Sequence, residues 1–180
     1  FVDQFESRDG ITYCSANTGV GYDPRFRVLG ACRRWVFVHE LELLLLLDRI
    51  ETRETHRFAA HVHSRREHWR PLGEGLYATR AGDTSLAARA LAAREEGDWL
   101  CSSEVVPTQR VVQQFVPSYT FGVNGRNYNN QNWQAAKEPP APDVPDFQDL
   151  QFHSSQPVRD WGVLTALCTD IDTVRNLSLE

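Results

Sequence analysis

Residues 41–50 read Leu-Glu-Leu-Leu-Leu-Leu-Leu-Asp-Arg-Ile, and the unbroken leucines from Leu43 to Leu47 decide the fold. A strand sends successive side chains to opposite faces, so this run puts apolar groups on both sides of a sheet. Such a strand belongs in the middle of the sheet, covered on both faces. The run falls far short of the ~20 apolar residues that cross a bilayer. No basic-then-apolar leader opens the chain either, so membrane insertion is not expected.

Working outward, Phe26 to Val38 forms a second apolar run, and His39 with Glu40 marks the turn of a hairpin between the two. Ile11 to Ala16, Trp69 to Leu72, Leu76 to Arg80 and Val105 to Val116 continue with a period of two, and Trp161 to Ile171 reads as a closing strand. Turns fall at Gly73-Glu74-Gly75 and Ala81-Gly82-Asp83. So many short strands at close spacing predict an all-β fold, a large antiparallel β-sandwich. Thr84 to Glu96 (TSLAARALAAREE) has high helix propensity, with Asp83 or Thr84 as a cap. A meander leaves few places for one isolated helix, so this segment is read as strand. Residues 122–156 shift to Asn, Gln, Pro and Asp and are read as one long loop.

At 180 residues and 41% apolar composition the chain suits a single domain over 1–180 that needs neither disulfide nor metal to hold together. It opens at Phe1 and has no Met, which is expected of a processed product or an excised piece of a larger protein. Cys14, Cys32, Cys101 and Cys168 form no C-x-x-C pair and read as buried thiols, with three pairings open in an oxidising compartment. A net charge of -5 argues against nucleic acid as a partner. Locally the balance reverses: Arg49, Arg53, Arg57, Arg65, Arg66 and Arg70 stand beside only Glu51, Glu54 and Glu67. This stretch is either a solvated strand face or a site for anionic ligands, since guanidinium forks fit carboxylate and sulfate oxygens bidentately.

From Thr55 to His63 alternation puts His61 and His63 on an ionisable face, and His56, Phe58, Ala60 and Val62 on an apolar one. Asp48 ends the leucine strand. If residues 41–50 and 55–63 paired as a hairpin, Asp48, His61 and His63 would supply a carboxylate and imidazoles of the zinc-binding kind. His39, at the turn, is a further candidate ligand. The competing reading is an ordinary strand-end Asp and hydrogen-bonded strand histidines; His56 is read as buried and hydrogen-bonded. No G-x-S-x-G, G-x-x-x-x-G-K-[ST], G-x-G-x-x-G or H-E-x-x-H motif occurs. A pair of glycosidase carboxylates stays open, because their separation is spatial.

At Arg33-Arg34-Trp35-Val36-Phe37-Val38, then Leu44 to Ile50, then His61-Val62-His63-Ser64, the chain resembles the C-terminal region of heparinase II/III-like polysaccharide lyases. The resemblance implies a β-sandwich that in full-length enzymes sits behind an (α/α) toroid, with acidic polysaccharide between them. It implies a parent chain that cleaves uronic-acid polysaccharides by β-elimination in the periplasm or outside the cell. It places Asp48 and His63, with His61 as the neighbouring alternative, at positions that bind a structural zinc in some members. Arg57, Arg65 and Arg66 become candidate substrate contacts. The family's catalytic Asn, Tyr and His have no match here, so no catalytic residue is assigned and this piece is not expected to catalyse elimination alone. Two alternatives stand beside this reading. One is a non-catalytic carbohydrate-binding or structural sandwich; the other is a zinc hydrolase built on Asp48, His61 and His63.

Overall fold

A computed structural model describes residues 2–65, 69–81, 83–101, 107–112 and 147–178 of the chain. Among the described residues it is all-β apart from short 3-10 turns and one C-terminal helix. The strands are β1 (Val2–Arg8), β2 (Ile11–Asn17), β3 (Val28–Val38), β4 (Leu43–His56), β5 (Ala59–Arg65) and β6 (Arg70–Gly73). They continue with β7 (Leu76–Ala81), β8 (Thr84–Glu95), β9 (Asp98–Cys101), β10 (Pro107–Val112), β11 (Phe147–His153) and β12 (Val158–Cys168), followed by helix α1 (Ile171–Asn176).

A large antiparallel sheet runs in the order β1-β2-β3-β4-β12-β8-β7-β6, with β9 added to β8. A smaller sheet, β10-β11-β5, faces it. The leucine ribbon lies where its pattern requires: β4 pairs with β3 on one side and β12 on the other. Its even residues Leu44, Leu46 and Ile50 join the core beneath the small sheet, with Phe152 and Leu150, both fully buried. Leu43 and Leu45 join a second cluster on the opposite face, closed by Val174 of α1. Leu43 and Ile50 are buried and Leu44 to Leu47 half-buried; full burial of such a side chain contributes ~1.5–3 kcal/mol and half-burial less, and the ribbon ties both layers to one strand.

The helix-prone segment is strand β8. Its alanines explain why: Ala88, Ala90 and Ala93 face the small sheet and Ala87 faces α1, all buried. Small side chains let both layers approach the sheet closely, and that packing outweighs local helix preference. Asp170 caps α1, its carboxylate accepting from the amides of Asp172 and Thr173.

Tight turns join the edge hairpins. Asp9-Gly10 links β1 to β2 and Glu96-Gly97 links β8 to β9, all four at positive φ, the geometry of two-residue hairpin turns. The first is an Asp-Gly signal that also announces β1, a strand the pattern reading had passed over.

Two expectations need correction. Residues 41–50 and 55–63 do not pair: β4 continues to His56, the chain bends at Arg57-Phe58, and β5 crosses into the other sheet. Nor is 122–156 loop throughout, since Phe147–His153 is the central strand of the small sheet, bonded to β10 and to β5. Its alternation buries Leu150 and Phe152, a local signal that the polar composition of the wider window masked. Residues 122–146 of that window lie outside the described residues.

Candidate functional site

The bend between β4 and β5 opens a cleft of about 320 Å³ between the two sheets. Its floor comes from the inner face of the large sheet, where alternation aims Asp48, Ile50 and Thr52 of β4 and Trp161 of β12 the same way. The opposite wall is Phe58 at the bend and Ala60 of β5. Ser154 fixes the bend, its amide donating to the Phe58 carbonyl while its hydroxyl accepts from the Phe58 amide, each at 3.0 Å.

The loop between β2 and β3 forms the third side. Asp23 caps the turn Pro24–Phe26, accepting from the Arg25 amide and guanidinium. These bonds hold its carboxyl below the ordinary carboxylate range, the Arg25 side chain contributing most. The Arg53 amide donates to the Arg27 carbonyl at 3.1 Å, pinning the loop to β4. Phe26 thereby meets the His56 ring edge-on at 5.9 Å, His56 meets Phe58 at 6.2 Å, and Phe58 stacks on Trp161 at 6.0 Å.

Within this aromatic wall two polar atoms, His56 Nε2 and Trp161 Nε1, are buried without a hydrogen-bond partner among the described residues. His56 is thus half-buried against aromatic rings rather than fully buried, and its enclosed Nε2 is not satisfied as the sequence reading expects. A buried unsatisfied group costs ~1–3 kcal/mol, so native proteins hold few of them.

At the inner end of the cleft Arg33 and Asp48 stand opposite each other on β3 and β4. Arg33 Nε and Nη2 donate to Asp48 Oδ1 and Oδ2 at 2.5 and 2.8 Å. This two-point bond holds the guanidinium more firmly protonated than usual, against the opposing effect of burial.

The expected zinc set does not assemble around this carboxylate. Asp48 points into the cleft with both oxygens held by Arg33, whereas His61 and His63 alternate with the core-facing Ala60 and Val62 and lie exposed on the outer face of β5. The backbone of the small sheet therefore stands between the imidazoles and the carboxylate. The two rings do neighbour each other, at 6.0 Å. His39 accepts or donates a 2.8 Å bond with Thr12 and meets Phe37 edge-on, in the hairpin turn at the far end of β4 from the crossover. Among the described residues no three His, Cys, Asp or Glu side chains gather as a metal site. The residues present fit a guanidinium partner for Asp48, not a metal ion.

Of the substrate-contact candidates, Arg57 is exposed at the rim of the cleft. The Arg65 side chain and Arg66 lie outside the described residues. Arg49, from the same basic stretch, turns to the outer face and shares Asp160 with Arg94, at 3.3 and 3.4 Å. Part of the local positive charge is therefore spent internally. Cys14, Cys32 and Cys168 are free thiols, with Cys168 buried and its Sγ donating to the Leu41 carbonyl.

Fold and cleft together are those of a two-sheet antiparallel β-sandwich. No protein-family model matches the chain, and no curated protein matches it in sequence. Among solved structures the chain is similar to a heparan sulfate lyase from Pedobacter heparinus, with a TM-score of 0.59 and 11% identity. It is also similar to a heparinase III gene product, with a TM-score of 0.53 and 9% identity. Each match covers 93% of this chain and 21% of the other, so the chain spans about a fifth of the length of these structures. At such identity what is shared is the fold.

Proposed function

We propose that this chain is the β-sandwich portion of a periplasmic or secreted polysaccharide lyase acting by β-elimination on uronic-acid polysaccharide. The observation that carries this reading is the match of 93% of the chain to the two lyase structures. Elimination needs a base for the proton beside the carboxylate, a group that neutralises the carboxylate, and an acid for the departing oxygen. In this reading the base and the acid come from the rest of the parent chain. The part of the sandwich is a wall against which the polymer is held, with Arg57 at the rim as a bidentate donor to carboxylate or sulfate. Binding far from the reacting atoms serves catalysis by positioning.

Calorimetric titration of the purified chain with size-defined heparin oligosaccharides tests this reading. Binding that weakens as salt rises, and weakens again in Arg57→Ala, is expected. Absence of binding at low salt would remove the wall role. The second reading, a carbohydrate-binding sandwich with no chemistry attached, is favoured by the enclosed aromatic cleft itself. It is separated from the first by whether the gene encodes a helical toroid ahead of Phe1.

A further inference from the structure

The crossover cleft has features that a polyanion-binding wall does not require. Its inner charge is already neutralised, because the Asp48 carboxylate is matched atom for atom by Arg33. Its walls are aromatic, formed by Phe26, His56, Phe58 and Trp161. Trp161 is 2% exposed and carries an indole N–H with no acceptor, and His56 Nε2 beside it is equally unpartnered among the described residues. The enclosed volume of about 320 Å³ lies at the small end of ligand sites, near 300–1,000 Å³.

Each feature selects on ligand chemistry. A neutral ion pair offers no net attraction to an anion, yet the Arg33 guanidinium retains Nη1 as a donor and the Asp48 oxygens retain lone pairs as acceptors. That combination suits neighbouring hydroxyls, which donate and accept at once. Aromatic walls suit the apolar C–H face of a ring. An indole N–H needs an oxygen acceptor, and an imidazole nitrogen takes either partner according to its tautomer. A small ring with hydroxyls on its rim and an apolar face meets all of these demands. We propose that the cleft binds one uncharged pyranose ring, as a monosaccharide or the end of a neutral glycan. The cleft shares its rim with the polyanion contact at Arg57, but the proposal does not rest on the lyase reading.

The Trp161 indole reports directly. In ¹⁵N-labelled protein its N–H signal is one of five from Trp and is assigned by its loss in Trp161→Phe. Titration with D-glucose, D-galactose and N-acetyl-D-glucosamine should shift that signal saturably for at least one sugar, with an affinity insensitive to salt. Trp161→Phe, which keeps the aromatic wall, should weaken binding about tenfold by removing the donor. Neutral-sugar binding should hold constant as salt rises while heparin binding weakens, so the two readings fail independently. An indole signal unmoved by all three sugars, or moved only by heparin oligosaccharides in a salt-dependent way, would overturn the proposal.

Discussion

Arg33 and Asp48 face each other across β3 and β4 and close a two-point ion pair at the inner end of the cleft. The Asp48 side chain is 18% exposed and that of Arg33 36% exposed, so solvent screens the pair in part. Asp48→Ala strands a half-buried guanidinium and should cost about 1–2 kcal/mol. For a chain of this size that lowers Tm by roughly 2–8 °C, measurable by calorimetry. The double variant Arg33→Met/Asp48→Leu should recover part of the loss. A single variant as stable as the parent would show the pair to be idle.

The same pair decides the response to chelators. With Asp48 held by Arg33, extended dialysis against EDTA should leave both Tm and the circular dichroism spectrum unchanged. Elemental analysis should find no stoichiometric zinc before or after. Loss of stability with EDTA, restored by zinc alone, would show that a metal ion takes the place assigned here to the guanidinium.

Gly162 sits on β12 between Arg49 and Arg94 of the neighbouring strands. A Cβ at this position would lie 3.1 Å from the Asp48 carbonyl oxygen, in the most constrained part of the large sheet. Gly162→Ala should therefore destabilise by about 1 kcal/mol, despite the lower backbone entropy of alanine in the unfolded chain. Denaturant midpoints of the two proteins check this. A stabilised variant would mean that β4 yields more readily than its central position implies.

Asp170 gives the fold a pH dependence. Bonds from the Thr173 hydroxyl and amide and from the Asp172 amide hold its carboxyl below the ordinary value. A carboxyl whose folded pKa is depressed stabilises fully above the unfolded value, about 3.9, and loses that contribution as pH falls through the folded value. Asp170→Ala should therefore be less stable than the parent at neutral pH, with the gap narrowing below about pH 4. Thermal melts at pH 7 and pH 3 show whether it does.

The layers were legible in the chain because they rest on alternation. The leucine ribbon announced a doubly covered strand, whereas β8 read as strand only because a meander leaves few places for one helix, its alanines making sense once both layers are known. The site was not legible, because it depends on where the chain changes sheets. Nothing local at Arg57-Phe58 says that β5 leaves β4 to pair with β11, whose residues lie some ninety positions downstream. Once that crossing is known, the histidine alternation read correctly from sequence places His61 and His63 outward and Asp48 inward. Arg33 was read only as part of a resemblance. Its spacing from Asp48 across a tight hairpin at His39–Leu41 contained the pairing, had the register been counted.

Under the proposed function the sandwich holds acidic polysaccharide and leaves its cleavage to the rest of the parent chain. The most direct measurement follows ultraviolet absorbance of unsaturated uronate ends while the purified chain is incubated with heparan sulfate, under conditions where binding has been established. A flat trace alongside measurable binding is expected. A steady rise that scales with protein concentration would contradict this reading and place a complete catalytic set within these 180 residues.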